Sequence, residues 1–234
     1  MRFGQVLLIS IAFSISGIAS VSAQNCKPYY LSGTFAGDFL SMEASGRNTA
    51  GGFDAMDHEH ETNSAYGFAI GREWREGTLL DDYQLRYESQ YLFMDDSQFD
   101  LGSFPGPPGP YSFLYQSSLT NRWASMSNIW IDKAVSENFE VYAGGGIGIS
   151  LFEFEQTDGV VSSTKDDEDV AYQFGVGLNC RLLSNVELDF GYRHMNLGNA
   201  NTNLTQAGGA VPAGNLNVDL DSDQIALTLR IYRR

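Results

Sequence analysis

The sequence predicts an all-β fold: an eight-stranded antiparallel up-and-down transmembrane β-barrel, preceded by a cleaved signal peptide. Three observations carry this reading. First, Val170, Tyr172, Phe174, Val176, Leu178, Cys180 and Leu182 alternate with smaller or polar residues. After Ser184-Asn185 the alternation resumes with Val186, Leu188, Phe190 and Tyr192, so two long strands meet in a tight hairpin. Second, one face of each strand is apolar and aromatic, whereas the other is small and polar with few charges, which suits a narrow lumen inside a lipid-facing wall. Third, long and short connections alternate, as surface loops and periplasmic turns do in such barrels.

Taken in order, the first strand runs from Tyr30 to Met42, with Leu31, Phe35 and Phe39 opposite Ser32, Thr34, Ala36 and Asp38. A Gly- and charge-rich loop is expected at 43–61. Tyr66, Phe68, Ile70 and Trp74 give the second strand an apolar face against Gly67, Gly71 and Glu73. After a turn at 75–80, Tyr83, Leu85, Tyr87, Tyr91 and Phe93 oppose Gln84, Arg86, Glu88 and Gln90 in the third. The stretch 94–121 reads as irregular, because Pro105, Pro107 and Pro108 remove ladder donors. Arg122 to Asp132 is the least regular strand, and a turn follows at 133–138. The fifth strand sets Val141, Ile147 and Ile149 against Glu140, Tyr142 and a row of glycines. Loops are expected at 155–168, before the central hairpin, and at 197–218. Ile225, Leu227, Leu229 and Ile231 then mark the last strand.

The first residues have the layout of a secretory leader: Arg2, an apolar run from Val6 to Ala19, and Val21-Ser22-Ala23 as the cleavage site. Residues 1–23 are therefore read as a signal peptide and 24–234 as one barrel domain. The chain has 29 acidic against 14 basic residues, a formal net charge of −15. That balance argues against nucleic acid as a partner. Cys26 and Cys180 could pair after export, but a bond needs Cα atoms within ~7 Å. The expected positions are far apart around the ring, so Cys180 is read as a small lipid-facing hydrophobe.

The polar face gathers Arg86, Glu88, Glu140, Arg181, Glu187, Asp189, Arg193 and Arg230, together with Asp38 and Glu73. Eight strands enclose room only for side chains, so these residues are expected to form a paired plug rather than an ion path. Their inward glycines leave space for water. Asp57-His58-Glu59-His60-Glu61 has ligand types for a transition metal, but its spacing is common and the expected reading is a solvated segment. Asp219, Asp221 and Asp223 lack the Gly and distal Glu of a calcium loop; above the apolar band they could meet cations held by lipopolysaccharide. His194 is followed two residues later by Asn196, which is no nucleophile. No catalytic residue, metal or cofactor is assigned. In 94–121, Phe104, Tyr111, Phe113, Leu114 and Tyr115 form an apolar, proline-stiffened segment suited to contact with a surface or host protein.

Two segments resemble the opacity-protein and surface-antigen group of small outer-membrane barrels. YAGGGIGIS (142–150) resembles its Tyr-x-Gly-x-Gly-x-Gly strand, and LDFGYRHMNLG (188–198) resembles its penultimate strand. Members usually end on an aromatic residue, whereas Tyr232 here is followed by Arg233-Arg234. The resemblance implies an eight-stranded barrel in the bacterial outer membrane, in contact with lipid and lipopolysaccharide, in a group mostly without known catalysis. The expected function is that of a non-enzymatic barrel with a filled lumen and four long surface loops, structural or adhesive. A narrow porin-like channel is the alternative, and behind it a lipid-modifying enzyme.

Overall fold

The computed structural model describes residues 29–48, 53–74, 83–104, 113–157, 161–206 and 212–233. Nine antiparallel strands follow in chain order: β1 (Tyr30–Asn48), β2 (Phe53–Trp74), β3 (Tyr83–Met94), β4 (Ser97–Phe104), β5 (Phe113–Ala134), β6 (Phe139–Thr157), β7 (Val161–Leu183), β8 (Val186–Gln206) and β9 (Pro212–Tyr232). Each pairs with its neighbours, and β1 closes the ring by pairing with both β2 and β9. Beyond Met94, β4 replaces β3 between β2 and β5. The ring therefore has eight positions, the third occupied by two strands in series. A closed ring leaves no sheet edge exposed to lipid.

The strands are far longer than the sequence suggests. The stretches expected as loops at 43–61, 155–168 and 197–218 are mostly ladder, and 94–121 is largely β4 and the first half of β5. The proline-rich 105–112 lies outside the described residues, as do 1–28 with Cys26 and the expected turn at 75–80. The turns that are described, 135–138 and Ser184-Asn185, lie where the sequence puts them.

The loop reading failed because the alternation changes sense along β1, β6, β8 and β9. In the lower part of β1, Leu31, Phe35 and Phe39 face out while Thr34, Ala36 and Asp38 are buried. From Leu40 upward the apolar residues Leu40, Met42 and Ala44 point inward, with Ser41, Glu43 and Ser45 outside. Polar residues outside and apolar ones inside describe a water-exposed barrel standing on a lipid-exposed one.

At three places the phase also slips by one residue. Asp95-Asp96 separates inward Met94 from inward Ser97; a bulge at Thr120/Trp123 separates inward Leu119 from inward Arg122; and a bulge at Asn196/Gly198 separates inward Leu197 from inward Ala200. A one-residue insertion sends every later side chain to the other face, so no single period spans these strands. Asn121 (φ 52°) and Gly198 (φ 86°) supply the left-handed backbone that the two bulges need.

Candidate functional site: a tiered lumen and its outer mouth

The lower lumen is filled by charges and tyrosines. Arg230 binds Asp189 and Glu187, the latter at 3.4 Å. Arg86 forms a two-pronged pair with Asp132, both bonds 3.1 Å, and lies 3.9 Å from Glu88. The hydroxyl of Tyr30 donates to Glu88 at 3.0 Å and that of Tyr142 to Asp189 at 2.8 Å. Tyr232 reaches Glu187 at 2.6 Å and Glu73 at 3.1 Å. Nearer the rim, Arg181 contacts Glu140 at 3.4 Å and Glu187 at 3.7 Å. Buried charges persist when their partners and remaining hydrogen bonds are supplied in this way.

Arg193 departs from the set. Its guanidinium lies over the Trp130 ring at 5.8 Å, and its Nε and Nη1 are buried without a described hydrogen-bond partner. The cation that neutralises Asp189 is Arg230 instead. The inward glycines leave no free space: a Cβ on Gly177 or Gly191 would strike Tyr142, and one on Gly71 would strike Tyr30. On the Tyr-x-Gly-x-Gly strand itself, Gly144 faces the Trp130 ring, Gly146 faces Asn128 and Gly148 faces Met126.

At mid-height, Asp38 and Arg122 pair at 3.0 Å, both fully enclosed. Ser222 and Gln224 also donate to Asp38, and Arg122 donates to Ser97 at 3.0 Å and to the Asp95 carbonyl at 2.9 Å. Arg122 thus ties the β3–β4 break to the β5 bulge beside it and, through Asp38, joins both to β1. Above this pair the interior is apolar, built on Leu40, Met42, Leu119, Phe154, Leu216 and Leu220 among others.

Outside the wall, just above the apolar band, His194 Nδ1 lies 2.9 Å from Asp223, which also accepts from Tyr192 at 2.6 Å. Asn196 donates to Asp221 at 2.9 Å. His58 and His60 share an exposed face of β2 with rings 4.4 Å apart, and among the described residues no third ligand type converges on them.

A cavity of about 840 Å³ opens at the outer mouth, above the apolar tier. Phe99, Ser117, Gln156 and Ser163 line it as one cross-strand row, since Phe99 pairs with Ser117, Ser117 with Gln156, and Gln156 with Ser163. Glu59 and Glu61 of β2, Asp100 and Glu155 also border it, and no Lys or Arg is among the described lining residues. Of the expected partner segment, Phe104 ends β4 while Phe113, Leu114 and Tyr115 begin β5; Tyr111 lies outside the described residues.

Sequence reasoning missed Arg122, Asp132, Trp130 and the mouth cavity. Arg122 and Asp132 share parity with Trp130 and Met126 on β5. Two large inward apolar residues made that strand look irregular and hid the charges beside them.

The family model described as the outer membrane protein beta-barrel domain matches residues 7–211. Among curated proteins, a candidate adhesin of Rickettsia prowazekii (strain Madrid E), RP828, is 27% identical over 92 residues; the match covers 38% of this chain and 41% of that protein. The chain thus matches about two fifths of the length of that relative. Among solved structures, neisserial surface protein A is similar with a TM-score of 0.44 and 14% identity, covering 90% of this chain and 100% of that one. The outer membrane protein OprG from Pseudomonas aeruginosa is similar with a TM-score of 0.48 and 10% identity, covering 92% and 100%.

Proposed function

The chain belongs to the outer membrane protein beta-barrel domain family, and from that premise we propose that it is a non-enzymatic surface protein whose outer end adheres to a partner. The observation that carries this is the inversion of the wall. Above the lipid-facing band the strands continue as a packed barrel, polar outside and apolar inside, which lifts the mouth away from the bilayer on a stiff base. Binding to a preformed surface loses less conformational entropy than ordering free loops does. The likeness to a candidate adhesin supports the same reading. The β4–β5 tip, with Phe104, Tyr111, Phe113, Leu114 and Tyr115, and the mouth cavity are the proposed contact region. Asp219 and Asp221 on the outer wall would meet cations held among lipopolysaccharide headgroups.

A narrow channel is the weaker reading, because any path would cross both the charged tier and the apolar one. The His194–Asp223 pair would need a nucleophile to act as a hydrolase, and position 196 offers the amide of Asn196.

The test is adhesion of whole cells that display the chain. Replacing Tyr111, Phe113 and Tyr115 by serine should leave the barrel folded, read from its heat-dependent mobility on gels, and should reduce adhesion at least several-fold. Undiminished adhesion of a folded variant would remove the tip from the contact region. Cells lacking the chain that adhere equally well would remove the adhesive role itself.

A further inference from the structure

The partner's chemistry is legible at the mouth. Gln156 is 3% exposed and Ser163 is 7% exposed, yet Oε1 and Nε2 of Gln156 and Oγ of Ser163 have no hydrogen-bond partner among the described residues. All three atoms belong to side chains that line the 840 Å³ cavity. Buried polar groups are seldom left unmade, because each unpaired one costs the full desolvation of that group. A carboxamide with neither end hydrogen-bonded among the described residues has an acceptor and a donor side by side, the complement of a peptide N–H and C=O. The hydroxyl of Ser163, on the adjacent strand, adds a donor or an acceptor.

The electrostatics point the same way. Glu59, Glu61, Asp100 and Glu155 border the cavity without a described Lys or Arg. The excess of acid extends beyond it: in 39–61, 95–122, 152–170 and 195–223, which hold most of the acidic residues, the basic ones are Arg47, Arg122 and Lys165. Arg122 is already spent on Asp38. The negative charge of the chain is therefore concentrated at the outer end, where it steers cationic partners inward and repels anionic ones.

We propose that the outer mouth is a peptide site that takes a Lys- or Arg-bearing extended segment of a protein partner. Gln156 and Ser163 engage the backbone amide, and Glu59 and Glu61 engage the cationic side chain in charge-assisted hydrogen bonds. The inference rests on the adhesive reading and names the partner class for it.

The experiment uses the full chain folded in detergent micelles and fluorescein-labelled hexapeptides of alternating Ser-Lys, Ser-Gln and Ser-Glu, with a trimer of unacetylated glucosamine as a non-peptide cation. Saturable anisotropy change is expected for the Ser-Lys peptide, weakening as salt rises. Gln156→Leu, and Glu59→Gln with Glu61→Gln, should each weaken it about tenfold, equivalent to ~1.4 kcal/mol. Glu43→Gln with Glu168→Gln removes the same charge from the outer wall and should change affinity less than twofold. Heat-dependent gel mobility confirms that each variant is folded. Three results overturn the proposal: no saturable peptide binding, equal losses in the wall and mouth variants, or binding of the glucosamine trimer in place of the peptide. Cells that adhere undiminished with Gln156→Leu also overturn the mouth as the site while leaving adhesion standing. Peptide capture by the purified chain without any cell adhesion would uphold the site and sink the adhesive role.

Discussion

At the scale of single residues, the lumen separates two arginines that look equivalent in sequence. Arg230 is enclosed and bound to two carboxylates, Asp189 and Glu187. Arg193 is equally enclosed but rests on Trp130, with its Nε and Nη1 unpaired among the described residues. Breaking a buried pair by removing one partner costs about 3–5 kcal/mol, because the other charge stays behind. Arg230→Met should therefore lower barrel stability by about that amount in a denaturant titration in micelles, and adding Asp189→Asn should recover part of it. Arg193→Met strands no directly bonded carboxylate and should cost clearly less. Equal costs for the two arginines, or strict additivity of Arg230→Met with Asp189→Asn, would show that the pairing seen around Asp189 does not hold the lumen together.

At the scale of elements, the strands above the bilayer owe their stability to an interior that the sequence hides. Leu119 on β5 and Leu216 on β9 are fully buried there, in stretches that read as loop. If these stretches were solvated loops, truncating either leucine would move stability by no more than ~0.5 kcal/mol. As core residues they should cost about 2–5 kcal/mol each on change to alanine. Amide exchange should show the same thing: protection across Asn215–Leu220 in the wild type, lost first in Leu216→Ala. What was legible in the sequence follows the phase of the alternation. Where one period holds, as in 170–182 and 186–194, strand, face and hairpin turn could all be read. Where Asp95-Asp96, Asn121 and Gly198 shift the phase, the apolar residues seem scattered and the strand reads as irregular. The charged residues of the lower lumen could be assigned to the polar face by parity alone. Their pairings could not, since Arg230 reaches Asp189 across a register that only the folded ring defines. The mouth cavity was out of reach for the same reason, as Phe99, Ser117, Gln156 and Ser163 come from four strands.

At the scale of the whole molecule, two seals of different chemistry lie in series along the barrel axis. The lower one is the network around Arg86, Asp132, Glu88, Arg230 and Asp189; the upper one is the apolar tier of Leu40, Met42, Leu119 and Phe154. An ion crossing the first must displace paired charges, and in the second the described residues are mainly apolar and do little to replace its water. Either tier alone is enough to stop it. The wild-type chain should accordingly show no resolvable conductance steps in a planar bilayer. Arg86→Ala with Asp132→Ala removes a cation together with its anion, so the lower tier opens without leaving either charge of that pair stranded; the upper tier should keep the barrel silent. Leu40→Ser with Leu119→Ser wets the upper tier, and the charge network below should again keep it silent. Only the chain carrying all four substitutions should conduct, provided its heat-dependent gel shift shows that it still folds. Steps from the wild type would restore the channel reading. Steps from one of the two double variants would show that the tier left intact in it is no barrier, and would place the seal in the tier that was altered.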